Sequence, residues 1–137
     1  MTSKERFTDA ITKSVELEKL GERASALQLM DQAIAEAIGD DDVPWIRTLC
    51  HHAAILSRLT EDWALAKRYY EQSLASDPEN ARALYGLAAV ALDEGDPATA
   101  RQYATRCHMS ILLTDDEILR VSLLDLIANN WPDLVEN

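Results

Sequence analysis

A 34-residue period constrains the fold of this chain more than any other feature of the sequence. Segments 47–80 and 81–114 follow one another without a gap and carry similar residues at the same positions. Ala54 in the first segment corresponds to Ala88 in the second, and each lies in an apolar run. A period of roughly 20–50 residues is typical of stacked structural units, each of which packs mainly on its neighbours. The period therefore predicts an array of similar units.

Each unit has the pattern of two helices joined by a tight turn. Gly95 suits the left-handed residue that ends a helix, because glycine has no Cβ to oppose a positive φ. Asp96 can then cap the next helix, and Pro97 can occupy its first position, where no backbone N–H is needed. Alanine and leucine dominate the chain and β-branched residues are sparse, a composition that favours helix over strand.

The first unit, residues 7–40, departs from this pattern. Gly21 stands at the matching turn position. Lys13 and Ser14, however, replace the apolar and small pair that the first helix of the other units carries. Six residues, 41–46, separate this unit from the next, and we expect this insertion to alter the stacking angle between the two.

These features resemble the tetratricopeptide repeat, a helix-turn-helix unit with small residues at fixed positions, a Gly-Asp turn and a closing Asp-Pro. The resemblance covers residues 7–114. It implies an all-α fold, an α-solenoid of three such repeats followed by a C-terminal capping helix. We therefore expect a single domain over residues 1–137, with repeats at about 7–40, 47–80 and 81–114.

The C-terminal segment predicts one more helix, over about residues 115–130. Thr114 and Glu117 have the spacing of a capping box, and Pro132 marks the end. Such a helix would cover the apolar face of the last repeat, as the ends of repeat arrays require.

This last helix is too apolar to hide only one stripe. Two explanations stay open at this point. Trp131 and Leu134 could fold back over the apolar residues, or the helix could pack on a second copy of the chain. The candidate self-association residues are Ile118, Leu119, Leu123 and Leu126.

The net charge of −11 argues against non-specific binding to nucleic acid or to an anionic membrane surface, both of which need clustered Lys and Arg. No apolar run approaches the roughly 20 residues that span a bilayer, and the first residues lack the apolar core of a signal peptide. Cys50 and Cys107 are too few for a disulfide framework in a chain of this size, which indicates a reducing compartment. We expect a cytoplasmic location.

Catalytic and metal-binding patterns are weak. In Cys50-His51-His52, neighbouring histidines of a helix point about 100° apart, so they cannot hold one metal ion together. The acidic runs near helix starts suit capping and lack the ligand spacing of a calcium loop. No nucleophile–base pair or phosphate-binding glycine loop occurs. We therefore expect no enzyme activity, no cofactor and no metal site.

The resemblance to the tetratricopeptide repeat implies a binding groove lined by the first helix of each repeat. Arg58 and Arg82 could hold a carboxylate, and Tyr85 offers a flat contact surface. These residues form a mildly basic patch on an acidic chain. The expected groove residues are Ile11, Thr12, Val15, His51, His52, Ile55, Arg58, Arg82, Tyr85 and Ala89.

The sequence therefore predicts a non-catalytic module that binds a peptide or protein segment in this groove. Two alternatives remain: a scaffold that self-associates through the apolar C-terminal helix, and a small acidic chaperone of the secretion type. The expected partner is a protein or peptide, not nucleic acid or membrane, and a homodimer is one of the alternatives.

Overall fold

The computed structural model describes residues 1–136, and within this range it contains eight helices and no strand. The predicted all-α fold, built of helix-turn-helix repeats, is confirmed. The helices are α1 (Ser3–Lys19), α2 (Arg23–Gly39), α3 (Val43–Leu59), α4 (Trp63–Ser76), α5 (Ala81–Asp93), α6 (Pro97–Leu112), α7 (Glu117–Asn130) and α8 (Pro132–Val135).

The chain divides into two compact units between Ser76 and Asp77, four residues before the predicted repeat boundary. Met1–Ser76 contains α1–α4, and the residues from Asp77 onward contain α5–α8. In the first unit, α1 packs on α2, α2 on α3, and α3 on α4, and α1 also contacts α3. In the second, α5 packs on α6, and α7 lies against both. The interpretation of the whole chain as a single domain stays a prediction.

Four turns between helices share one backbone geometry. The left-handed residue is Gly21, Asp41, Glu61 or Gly95, with φ of 78°, 52°, 59° and 78°. Its amide donates to the carbonyl three residues earlier, and the next amide donates to the carbonyl five residues earlier. This pair of bonds satisfies carbonyls that the end of a helix leaves open. The turn geometry is therefore constant although only two of the four residues are glycine.

Aspartate caps the helix after three of these turns, and it caps α7 as well. Each carboxylate accepts the amide three residues ahead, at 3.0–3.4 Å. The capping residues are Asp42, Asp62, Asp96 and Asp116. The predicted role of Thr114 is wrong: its hydroxyl accepts the amide of Asp116, and α7 begins at Glu117. Aspartate wins because its carboxylate reaches the free amides and suits the positive end of the helix dipole.

The predicted insertion at 41–46 does not form a linker. Helix α2 ends at Gly39, and α3 begins at Val43, so four of the six residues form the first turn of α3. Pro44 fits there because the first turn of a helix leaves its N–H groups without partners. The insertion therefore lengthens α3 to 17 residues, against 13 in α5.

Small residues lie where the paired helices cross. Ala54 and Ala66, from α3 and α4, are fully buried, and so are Ala88 and Ala100, from α5 and α6. A larger side chain at such a position would overpack the crossing, at a cost of roughly 1–3 kcal/mol. Close packing of the paired helices therefore explains why alanine recurs every 34 residues.

Helix α7 buries one stripe and exposes another. Leu123 and Ile127, one turn apart, are buried, and so is Trp131, the residue that follows the helix. Helix α8 then packs on α6 and α7, and Arg101 of α6 pairs with Asp133 of α8. Because Leu123 is only 5% exposed, it does not belong to the outer surface on which the sequence placed it.

Candidate binding surface

A hydrogen bond joins the first helices of the first two repeats. Ser14 of α1 is fully buried, and its Oγ lies 2.9 Å from Nε2 of His52 in α3. The same hydroxyl donates its single hydrogen to the carbonyl of Ile11, 2.7 Å away. His52 Nε2 must therefore be the donor to Ser14, which assigns the tautomer of the imidazole. Burial lowers the pKa of His52.

This bond places the expected contact residues of α1 and α3 side by side. Ile11 and Val15 flank Ser14 on one face of α1, and both are half-buried. Ile55 and Arg58 follow His52 at intervals of three along α3 and are also half-buried. Of the other expected residues, His51 is half-buried and Thr12 is exposed, with its hydroxyl donating to the carbonyl of Thr8.

In the second compact unit, α5 carries the remaining expected residues. Arg82 is exposed, while Tyr85 and Ala89 are half-buried and lie on the same face of the helix. Leu84 and Leu87 point the other way into the core, as the sequence predicts. A helix with one buried face and one partly open face can contact a partner without losing its own packing.

Sequence reasoning missed a cavity of about 670 Å³ between α2 and α4. Tyr69 lines it, and its hydroxyl donates to Asp31 at 2.6 Å. Burial and this bond to a carboxylate raise the pKa of Tyr69. Tyr69 and Asp31 are 38 residues apart, so no local pattern could reveal the pair.

A second missed cavity, of about 280 Å³, lies in the second unit between the start of α5 and the end of α6. Leu84, Met109 and Leu113 form its apolar wall, and Arg106 also lines it. Its members come from both ends of the last repeat, so only packing brings them together.

The two cysteines are inert components of the core. Both are fully buried, and burial raises the pKa of each thiol to about 12. Cys107 donates to the carbonyl of Ala81 at 3.3 Å. Among residues 1–136, no group of three or more His, Cys, Asp or Glu is placed to hold a metal ion. None of the helices described is both long and apolar enough to cross a membrane.

Comparisons with known proteins agree with this geometry. The tetratricopeptide-repeat family model matches residues 60–106, from the turn before α4 into α6. No curated protein matches the sequence. The fold resembles the crystal structure of the type III secretion translocator chaperone SycD from Yersinia enterocolitica, solved as an alternative dimer. The TM-score is 0.64 at 14% sequence identity, over 91% of this chain and 93% of that chain. Residues 60–106 thus match the tetratricopeptide repeat, and the chain as a whole shares its fold with SycD.

Proposed function

We propose that this chain binds a segment of a partner protein along the first helices of its repeats. A role in protein interaction follows from the repeats and the fold. The observation that carries the finer proposal is the Ser14–His52 bond, since it sets two half-exposed apolar helix faces side by side.

Apolar contact would come mainly from Ile11, Val15 and Ile55. These side chains are half-buried, so a partner's apolar side chain can remove their remaining surface from water. Burial of that kind contributes about 25 cal/mol per Å². Because the residues are on rigid helices, little conformational entropy is lost when the partner binds.

Polar contacts would set the orientation of the partner. Arg82 is exposed on an otherwise acidic chain and can bind a carboxylate through two parallel N–H donors. Tyr85, one turn further along α5, presents part of its ring for contact with an apolar or planar group. A partner segment with an acidic residue one turn from an apolar or planar one fits this pair on α5.

Capture of partners by the purified full-length chain, followed by mass spectrometry, tests the proposal. The double variant Arg82→Glu with Tyr85→Ala should lose a partner that the wild type retains, with an unchanged helical circular dichroism spectrum. Arg68→Glu is the matched control. Arg68 is an exposed arginine on α4, the second helix of its repeat, and its replacement changes the net charge as much as Arg82→Glu does. Equal capture by the double variant and the wild type would place the binding site elsewhere.

A secretion-type chaperone is the second candidate function. It is favoured by the fold likeness to SycD over nearly the whole length of both chains. This candidate predicts that the captured partner is a secreted, apolar protein that aggregates when expressed without this chain. A captured partner that is soluble and stays inside the cell would contradict the chaperone function and leave the binding surface intact.

A further inference from the structure

One apolar surface in the second compact unit is not used by the proposed function. It consists of Met109, Leu112, Leu113, Ile118 and Val121, and we refer to it as the α6–α7 surface. These five side chains are between 51% and 80% exposed, and they lie within 13 residues of one another along the chain. A single exposed apolar residue is ordinary, but a cluster of this kind marks an interaction surface.

The α6–α7 surface borders the smaller of the two cavities described above. The cavity of about 280 Å³ has Met109 and Leu113 in its wall and Leu84 deeper in the core. The hydroxyl of Ser110 in the same wall already donates to the carbonyl of Glu79 at 2.6 Å. An apolar side chain could therefore enter the cavity without leaving that hydroxyl unsatisfied.

The side chain of Arg106 lines this cavity as well. The guanidinium of Arg106 lies 5.6 Å from the centroid of the Tyr103 ring, and within residues 1–136 no carboxylate pairs with it. The cavity therefore suits an apolar side chain that has a carboxylate close to it.

The start of α7, in the same unit, carries an exposed apolar side chain with carboxylates next to it in the sequence. Ile118 is 80% exposed, and three acidic residues precede it. Asp116 caps α7 and Glu117 pairs with Arg120, which leaves the exposed Asp115 available to a partner.

We propose that a second copy of this chain docks on the α6–α7 surface. Ile118 of each copy enters the cavity beside Met109 and Leu113 of the other, and Asp115 of each copy pairs with Arg106 of the other. Reciprocal contacts of this kind are what a two-fold interface requires, because both partners use the same patch. The charge complementarity between Arg106 and Asp115 selects a second copy as the occupant.

The distances along the chain allow this arrangement. Leu113 and Ile118 are five residues apart, so their Cα atoms are separated by at most about 18 Å. A stable interface covers about 800 Å² on each partner, which corresponds to a patch about 30 Å across. The cavity beside Leu113 and the side chain of Ile118 therefore fit within one interface of ordinary size.

Light scattering on the full chain tests the interface. Wild type should be dimeric at about 100 µM and dissociate on dilution. Ile118→Asn should be monomeric, whereas Leu59→Asn, a comparable apolar-to-polar change at an exposed site of the first unit, should remain dimeric. A monomeric wild type, or an Ile118→Asn variant as dimeric as the wild type, would overturn the proposal.

A charge exchange tests the pairing. Arg106→Glu should weaken the dimer by about tenfold, because each interface then holds like charges twice. Adding Asp115→Arg in the same chain should restore most of the affinity. Failure of the second change to rescue the first would show that these two residues do not meet.

Crosslinking tests the reciprocal geometry. A tagged Met109→Cys chain is mixed with an untagged Ile118→Cys chain under mild oxidation, and the mixed disulfide dimer should dominate. The native thiols do not interfere, since both are buried and their pKa values are about 12. Adducts of only one variant with itself would contradict the arrangement. Apart from the control Leu59→Asn, at the last residue of α3, none of these changes lies in α1, α3 or α5, so partner capture and dimer formation fail independently.

Discussion

At the residue scale, Ser14 has a structural role that its residue type alone does not predict. Ser14 replaces the small residue expected in the first helix, and the structure shows that it is still buried at a helix contact. Its hydroxyl finds two partners there, the carbonyl of Ile11 and the imidazole of His52. The sequence indicates a departure at this position, but only the packing of α1 on α3 explains it.

The stability of the first unit should depend on pH through His52. Because burial disfavours the imidazolium, its folded pKa lies below the ordinary value of about 6.5 in the unfolded chain. The unfolded state therefore binds more protons, and the contribution is complete above about pH 6.5 and is lost as the pH falls toward the folded pKa. In urea titrations from pH 8 to 5, His52→Gln should reduce the slope of unfolding free energy against pH.

Ser14→Ala separates burial from hydrogen bonding at the same site. It removes the partner of His52 but leaves the imidazole buried, so the pH slope should persist. The free energy of unfolding should fall by about 1–3 kcal/mol at all pH values, because the change removes both hydrogen bonds of the hydroxyl and leaves the imidazole N–H without its partner. If Ser14→Ala abolished the slope instead, burial would not be the cause of the lowered pKa.

Glycine at the left-handed position of the turn between α3 and α4 should stabilise the protein. Glu61 has φ of 59°, a conformation that costs a residue with a side chain about 1–2 kcal/mol. Glu61→Gly should therefore raise the free energy of unfolding by about 0.5–1 kcal/mol, after allowance for glycine's greater freedom in the unfolded chain.

Gly95 provides the reverse substitution in the same geometry. A Cβ at Gly95 would meet no atom within 4 Å, so Gly95→Ala tests the backbone alone. It should lower stability by about 1 kcal/mol. Equal stability of the wild type and both variants in urea titrations would show that the left-handed geometry is without strain.

At the scale of the element, the helix starts repeat one device with one exception. Asp42, Asp62 and Asp96 cap the helices that follow their turns, but Glu22 makes no side-chain bond at the start of α2. The backbone of Glu22, with φ −96° and ψ 60°, resembles that of Asp42, with φ −92° and ψ 80°. The longer glutamate side chain is thus at a position built for aspartate.

Glu22→Asp should add the missing cap. The charge is unchanged, so the effect isolates the hydrogen bond from the interaction with the helix dipole. Thermal unfolding should show stabilisation by about 0.5–1 kcal/mol, and Asp62→Ala, at the next turn but one, should cost about 1 kcal/mol. Lower stability of Glu22→Asp than of the wild type would mean that its carboxylate does not reach the amides of α2.

The predicted insertion at 41–46 shows that the 34-residue period does not set the start of a helix. Counting back from the 34-residue period places the second repeat at Arg47, yet α3 begins four residues earlier. Asp42 and Pro44 are a helix-start signal that competes with the period, and the helix follows the signal because caps and proline act locally. Periodicity sets the order of the helices, and capping residues set where each one begins.

At the scale of the whole molecule, the sequence determined that the chain is helical, that it repeats, and that a helix ends before Asp77-Pro78. Those properties depend on local signals: apolar periodicity, turn residues, caps and small residues at helix crossings. Tertiary structure alone decided that Leu123 turns inward while Ile118 remains exposed. It also placed His52 against Ser14, 38 residues away, and opened a cavity beside Arg106. These features arise from contacts between residues far apart in sequence, and no local pattern of side chains encodes them.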